Sequence, residues 1–109
     1  MSDIEILGIK TCDTCRKAMK SLENARFRDI REQPLEKVDI DRYLTAFGEA
    51  LVNRRSTTWR GLSEEERSRP AAELLSENPT LMKRPVIEAE GGPYLGWDAT
   101  VQKAVLGSG

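Results

Sequence analysis

The stretch GIKTCDTCRKAM, residues 8–19, carries the only two cysteines of the chain at the point where the hydrophobic pattern changes. Before it, IEILG (4–8) favours a short buried strand. From Asp13 onward apolar residues recur at helical spacing, at Ala18, Met19, Leu22 and Ala25. We therefore expect Cys12 where the strand gives way to a helix, and Cys15 one turn further along the same side.

Cysteines spaced three apart serve as a redox pair, as half of a metal site or as small buried side chains. The chain has no histidine and no other cysteine, so a zinc site lacks two of its four ligands unless a second chain supplies them, and Cys-His or Ser-His-Asp catalysis is excluded. We therefore predict no metal site. The free N–H groups at a helix start favour a thiolate, which makes Cys12 the candidate nucleophile and Cys15 the resolving thiol. A Cys15 that only packs in the core stays an alternative.

Composition limits the class of protein. The 109 residues suit one domain, 1–109, and a net charge of −1 gives no field that would attract nucleic acid or an anionic membrane. No apolar run approaches the roughly 20 residues of a membrane span, and the first residues do not form a secretory signal. We therefore expect a cytoplasmic protein, a compartment in which a CxxC pair is catalytic or metal-binding more often than structural.

Further along, RFRDIRE (26–32) predicts a second strand, parallel to the first and joined to it by the helix. A helical insertion at about residues 35–80 follows. Its predicted parts are a helix ending at Gly48 with Val38, Leu44 and Phe47 on its apolar face, a helix over 49–54, a polar loop NRRSTTWRGL (53–62), a helix opened by SEEE (63–66), and a helix PAAELLSEN (70–78) with Pro70 in its first turn.

The last segment, LMKRPVIEAEGGPYLGW (81–97), predicts an antiparallel hairpin that turns at Gly91-Gly92. DATVQKAVL (98–106) predicts a closing helix with Asp98 as N-cap. The order β-α-β, helical insertion, β-β-α is that of an α/β, thioredoxin-like fold with a mixed four-stranded sheet.

A reactive Cys12 needs cationic help. Lowering a thiol pKa from about 8.5 to about 6 takes roughly 3.4 kcal/mol, and a helix terminus supplies about 0.3–1 kcal/mol. Arg84 is a candidate because Pro85 holds the residue before it extended, and the Arg84-Pro85 bond is a candidate for the cis form. Arg54, Arg55 and Arg60 share the polar loop with Trp59. An arginine fork binds oxyanions and carboxylates bidentately, although most basic side chains are only solvated surface.

Four segments together resemble the ArsC/Spx family: GIKTCDTCRKAM, LVNRRSTTWRGL, NPTLMKRPVI and YLGWDATVQKAV. The resemblance spans essentially the whole chain and is close to the small YffB-like members. It implies a thioredoxin fold, Cys12 as nucleophile, Arg84 as the ligand of an oxyanion or thiol substrate, and Pro85 as the cis-proline beside the cysteine. Arg55 matches the arginine of the middle motif, with Arg54 next to it leaving the register open.

The same resemblance implies a thiol oxidoreductase with no tightly bound cofactor, with glutathione as co-substrate and glutaredoxin or thioredoxin as reductant. Arsenate reductases of this class use a further arginine after the Arg-Pro motif. No arginine follows Arg84 here, and Gly96-Trp97-Asp98 fills that neighbourhood, which counts against efficient arsenate reduction. We expect a monomer.

Two other functions stay open at this point. The cysteine pair is similar to the redox switch of Spx regulators, which bind the C-terminal domain of the RNA polymerase alpha subunit through a surface containing a glycine, near which Gly48 falls. Gly48 is equally explained as a helix C-cap. The last alternative is an interaction module in which the cysteines only pack.

Overall fold

The computed structural model describes residues 4–89 and 91–107, which fall into two compact units. The first runs from the start of the described chain to Glu32 and resumes at Arg84; the second is Gln33–Lys83. The described residues form four strands and six α-helices: β1 (Glu5–Gly8), α1 (Asp13–Ser21), β2 (Arg26–Asp29), α2 (Lys37–Phe47), α3 (Thr57–Arg60), α4 (Glu64–Arg67), α5 (Ala71–Glu77), β3 (Val86–Glu88), β4 (Tyr94–Leu95) and α6 (Ala99–Gly107). None of these helices is long and apolar enough to cross a bilayer.

The first unit contains the sheet, with strand order β2-β1-β3-β4. β1 is parallel to β2 and antiparallel to β3, and β4 is antiparallel to β3, which confirms the predicted mixed four-stranded sheet. Gly8 lies opposite Asp29, and Leu7 lies opposite Val86. The carboxyl ends of β1 and β2 and the amino end of β3 therefore meet at one edge of the sheet, which is the edge where the cysteine loop follows β1.

The core of this unit packs the sheet against α1 and α6. Ile6 and Ile87, which are partners in neighbouring strands, form one buried cluster with Ala18, Leu22, Val101 and Val105, and Trp97 packs against it. Met19 was predicted to share this face, but it is 40% exposed. The buried stripe of α1 follows Cys15, Ala18 and Leu22 at spacings of three and four, and Met19 lies about 100° around the helix from Ala18.

The ends of two elements depend on their partners. β2 stops at Asp29 rather than continuing to residue 32, because β1 turns away after Gly8, whose carbonyl accepts the last bond of the ladder from the Ile30 N–H at 2.9 Å. α6 begins as predicted, with the Val101 N–H donating to the Asp98 carboxylate at 2.9 Å. The predicted hairpin turn contains Gly91, whose φ of 80° favours glycine, and Glu90 lies outside the described residues.

In the second unit, α2 packs against α5. A capping box of Glu36 and Asp39 opens α2, and Gly48, with φ of 60°, ends it where the sequence predicted. Val38 was expected on the apolar face but is 65% exposed. The buried residues of α2 are Ile40 and Tyr43, so the apolar stripe is turned away from Val38.

The segment after α2 differs from the predicted helix over 49–54. Only one 3₁₀ turn forms, Gly48–Leu51, and the chain is then extended, with Val52 bridging to Met82 and the Lys83 N–H donating to the Leu51 carbonyl at 2.7 Å. That pairing with the 81–83 segment uses the backbone groups that a helix would have needed.

Two short helices follow. The predicted polar loop contains α3, whose start is capped by Ser56 accepting from the Trp59 N–H at 3.1 Å. The helix predicted from SEEE is present as α4, with a capping box of Ser63 and Glu66. Pro70 is the N-cap of α5 and so lies one position before its predicted place in the first turn.

Candidate active site around Cys12

Cys12 lies at the junction of β1 and α1, as predicted. It is the N-cap of α1, with φ of −82° and ψ of 123°. Its N–H closes a turn onto the Ile9 carbonyl at 3.0 Å, and its carbonyl accepts the first helical bond from the Arg16 N–H at 3.0 Å. The side chain is half-buried, so the sulfur can be reached while its surroundings still define its ionisation.

The surroundings of the Cys12 sulfur lower its pKa. Burial raises the pKa of the thiol, but hydrogen bonding by the N–H and thiol of Cys15 and by the N–H of Thr14, together with the charge of Arg84, outweighs burial. The neutral thiol makes no capping hydrogen bond of standard geometry, so these groups act chiefly on the thiolate. Cys12 is therefore poised as a nucleophile, because the thiolate is the reactive form of cysteine.

Cys15 has the opposite character. Both cysteines are free thiols, and Cys15 is 0% exposed. Burial, with further contributions from the hydrogen bond and the charge of Cys12, raises the pKa of Cys15 to about 12, although a hydrogen bond with the Ile9 backbone and the charge of Arg84 act in the opposite direction. While Cys12 is ionised, Cys15 keeps its proton and donates it in a hydrogen bond to Cys12.

Gly8, at the end of β1, makes the room for Cys15. A β-carbon at this position would lie 3.3 Å from the Cys15 β-carbon and inside van der Waals contact with its Sγ. No role for Gly8 was predicted from the sequence. The available signal was a glycine at the end of a buried strand just before the cysteine loop, since glycine in a strand marks a close approach.

The raised pKa of Cys15 has a consequence for stability at alkaline pH. The unfolded chain releases this proton near pH 9, whereas the folded chain retains it to about 12, so the stability that Cys15 contributes is complete below pH 9 and is lost as the pH rises. We expect urea unfolding of the wild type to lose up to about 1.4 kcal/mol per pH unit more than Cys15→Ala above pH 9. Parallel losses in the two proteins would contradict the raised pKa.

Arg84 and Pro85 lie at the sheet edge that carries the cysteine loop. Pro85 is buried, follows a cis peptide bond and precedes β3 directly. Its carbonyl accepts the Gly96 N–H at 2.8 Å, which ties it to the end of β4. Arg84 is half-buried, and its charge acts on both cysteines. The structure thus brings together four of the five predicted site residues: Cys12, Cys15, Arg84 and Pro85.

The fifth, Arg55, belongs to the second unit. It lies in the turn before α3, where its N–H donates to the Asn53 side chain at 3.0 Å, and it is exposed. Its guanidinium makes no hydrogen bond or ion pair with the described residues of that unit. Arg54 is engaged, since its guanidinium lies 5.7 Å from the Trp59 ring centre and 3.7 Å from the Glu49 carboxylate. Within that unit, Arg54 is thus the neighbour whose guanidinium has described partners.

Asp29 is a second residue of the site that no sequence motif indicated. It is 4% exposed, and its two oxygens accept different backbone donors, the Lys10 N–H at 3.1 Å and the Arg31 N–H at 2.8 Å. Burial raises the pKa of Asp29, but these bonds and the charge of Arg31 lower it below its usual range. Only the parallel register, which places Asp29 opposite Gly8, reveals the contact with the cysteine loop.

The chain is similar over nearly its whole length to proteins that are already known. An uncharacterized protein of Haemophilus influenzae is 39% identical over 112 residues, covering 94% of this chain and 98% of its own. The solved structure of a YFFB protein has a TM-score of 0.86 at 29% identity, covering 94% and 98% of the two chains. The structure of an arsenate reductase (ArsC) related protein from Brucella melitensis has a TM-score of 0.72 at 34% identity, covering 95% and 94%.

These structural matches confirm the predicted thioredoxin-like fold. The model of the ArsC family matches residues 7–105, from the end of β1 through most of α6. That range includes all of Cys12, Cys15, Arg55, Arg84 and Pro85. With nearly the whole length matched, the chain belongs to the ArsC family.

Proposed function

We propose that the protein is a cytoplasmic thiol oxidoreductase that reduces mixed disulfides of glutathione, with Cys12 as the nucleophile. The observation that carries this proposal is the pairing of two unlike thiols. Cys12 has a lowered pKa beside Arg84, while the buried Cys15 next to it keeps its proton. Membership in the ArsC family supports thiol-dependent reductase chemistry in general.

In the first step the Cys12 thiolate attacks one sulfur of the substrate disulfide. A new disulfide forms between Cys12 and that sulfur, the substrate S–S bond breaks, and the departing thiolate takes a proton from water. In the second step Cys15 attacks the Cys12 sulfur, which forms the Cys12–Cys15 disulfide and releases the bound glutathione as a thiol, or a free glutathione attacks the sulfur of the bound glutathione, which forms glutathione disulfide and releases the Cys12 thiolate. In the first route the two electrons come from Cys12 and Cys15, whose disulfide glutaredoxin or thioredoxin then reduces, and in the second route they come from two glutathione thiols.

The second thiol is either Cys15 or a free glutathione. A change in the surroundings of Cys15 after the first step supports Cys15 as this second thiol. The hydrogen bond and charge of Cys12 that raise the pKa of Cys15 both end once Cys12 is held in a disulfide. Burial still opposes ionisation, so glutathione remains the competing route.

The arginines and Pro85 have binding roles in this proposal. Arg84 stabilises the Cys12 thiolate and the charge that develops on the leaving sulfur. A role of Arg55 in binding an anionic group of the substrate stays a prediction from the sequence. Pro85 presents backbone to the bound substrate at the same edge. No metal and no tightly bound cofactor take part.

An oxyanion such as arsenate is the second candidate substrate, since the similar Brucella melitensis structure is that of an arsenate reductase (ArsC) related protein. A trianionic transition state is better stabilised by three guanidinium groups than by two. No arginine follows Arg84, and in the corresponding segment Asp98 caps α6. These features favour the disulfide substrate over arsenate.

The redox-regulator alternative gains no support from Gly48. Its positive φ at the end of α2 accounts for a glycine there without a partner. Binding to the alpha subunit of RNA polymerase is tested separately, by comparing retention of the oxidised and reduced protein on its immobilised C-terminal domain.

The central test is the pH dependence of Cys12 alkylation, with the labelled site identified by mass spectrometry. We expect a Cys12 pKa below the free-thiol value and a higher pKa in Arg84→Ala, which lowers the thiolate fraction and slows alkylation at pH 7. Arg84→Lys keeps the charge and should show a smaller rise.

The control is Lys83→Ala, which removes an exposed cation next to Arg84. A matching rise in this control would assign the effect to net charge rather than to Arg84. An ordinary, slow Cys12 thiol in the wild type, with no reduction of a glutathione mixed disulfide, would overturn the proposed function.

A further inference from the structure

Two charged side chains bind the backbone of Lys10, two residues before Cys12, one at its N–H and one at its carbonyl. Its N–H donates to the Asp29 carboxylate at 3.1 Å, and its carbonyl accepts from the Arg16 Nε at 2.9 Å. The Lys10 side chain points elsewhere, to Glu32 at 3.0 Å, where both partners are well exposed. The two bonds that fix the cysteine loop therefore depend on the Lys10 backbone and not on its side chain.

These bonds join three separate elements. Asp29 is the last residue of β2, Lys10 belongs to the loop after β1, and Arg16 is in the first turn of α1. Asp29 is itself immobilised, because its second oxygen accepts the Arg31 N–H at 2.8 Å and the Arg31 Nε lies 3.6 Å away. A buried carboxylate that accepts a hydrogen bond on each oxygen is held in one orientation, so it can hold the loop in one position.

The direction of the Cys12 side chain depends on this loop. The N–H groups that act on the sulfur belong to Thr14 and Cys15, in the first turn of α1, while the loop from Ile9 to Cys12 sets where the sulfur lies relative to them. A small shift of the Lys10 backbone would therefore move the sulfur relative to donors that belong to the helix.

We propose that Asp29 and Arg16 are positioning residues, which hold the Lys10 backbone so that the Cys12 sulfur stays against the first N–H groups of α1 and the charge of Arg84. The inference rests on the proposed function, in that it assigns a purpose to the geometry of the nucleophile. Neither residue touches the substrate in this assignment.

The first test is Asp29→Asn, read by the pH profile of Cys12 alkylation. Asparagine has nearly the same shape but one acceptor oxygen, so one of the two backbone bonds is lost. We expect the pKa of Cys12 to rise and alkylation at pH 7 to slow by about threefold to tenfold. The direction of the change in the Cys12 pKa separates a lost position from a lost charge. Removal of a nearby negative charge without any movement would stabilise the thiolate and lower the pKa.

The matched control is Glu32→Gln. It removes another carboxylate from the same segment, but one that contacts the Lys10 side chain instead of its backbone. We expect the alkylation profile of this control to coincide with that of the wild type. Urea unfolding of each variant separates a change at the sulfur from a loss of folded protein.

A second variant covers the case in which Asp29→Asn does not fold. Arg16→Lys retains the positive charge but loses the Nε donor, and it too should slow alkylation at pH 7, by about twofold to fivefold, while Lys17→Gln in the same turn should not. A low Cys12 pKa in the wild type that neither variant raises overturns the positioning role and leaves the proposed function standing. A wild-type pKa at the free-thiol value overturns the proposed function itself.

Discussion

Cys12→Ser is expected to abolish reaction with glutathione disulfide, lowering the rate by about three orders of magnitude or more, because a serine hydroxyl is a weak nucleophile without an adjacent base. The chain has no histidine that could act as that base. The remaining thiol, Cys15, is fully buried, and burial, the largest cause of its raised pKa, persists in this variant, so Cys15 is a poor nucleophile at neutral pH. Mass spectrometry after incubation with oxidised glutathione measures the loss, as the absence of a glutathione adduct.

Cys15→Ala is the matched control, and it separates the two roles of the pair. Cys12 should still form the adduct, more slowly because the thiol of Cys15 no longer donates to the Cys12 sulfur. The adduct should persist until free glutathione is added, whereas the wild type resolves a fraction of it through Cys15. An adduct on Cys15 in Cys12→Ser, formed at the wild-type rate, would show that the nucleophile has been assigned to the wrong residue.

Gly8→Ala is expected to destabilise the fold by about 1–3 kcal/mol, the usual cost of forcing an extra methyl group into a packed core. The added β-carbon collides with Cys15, and neither neighbour can easily yield, since β1 is an inner strand of the sheet and Cys15 lies on the buried stripe of α1. Urea unfolding measures the loss. The displaced Cys15 thiol should also leave Cys12 with a higher pKa.

The double variant Gly8→Ala/Cys15→Ala gives this prediction a sharp check. Removing the Sγ relieves the main collision, so the double variant should recover much of the stability that the single change loses. Gly61→Ala is the matched control, because a β-carbon there meets only ordinary contacts at 3.6 Å. A Gly8→Ala protein as stable as the wild type, or no recovery in the double variant, would contradict the close packing of Gly8 on Cys15.

The sequence indicated the order of strands and helices because that order is carried by local signals. Hydrophobic period, the glycine that ends α2 and the capping side chains Ser63 and Asp98 all act within a few residues of the boundary they define. The predictions that were wrong depend instead on contacts between residues that are distant in the chain. The helix expected over 49–54 gives way to pairing with the segment near Met82, a partner about thirty residues away that local pattern does not show. Val38 and Met19 were placed by spacing alone, which does not reveal which side of a helix is covered.

The candidate site shows the same division. Cys12, Cys15, Arg84 and Pro85 belong to short motifs and could be named from the sequence, whereas Asp29 and Gly8 act through contacts with residues distant in the chain or through the exact space they leave. Asp29 looks like one more charge in RFRDIRE until the register of β1 and β2 places it beside the cysteine loop. Asp29 and Gly8 act through contacts that exist only in the folded sheet, so the local sequence pattern does not reveal them.

Each compact unit contains one of the two tryptophans of the chain, which gives each unit its own fluorophore. The centre of the Trp59 ring lies 5.4 Å from the Arg67 guanidinium and 5.7 Å from that of Arg54. Trp97 packs instead against the apolar core that the sheet forms with α1 and α6. Emission from Trp97→Phe therefore reports on the unit that carries Arg55, and emission from Trp59→Phe reports on the unit that carries Cys12. Coincident unfolding midpoints from the two variants would mean that the nucleophile and its candidate substrate-binding arginine are gained and lost in one cooperative event, and separate midpoints would mean that either can exist without the other.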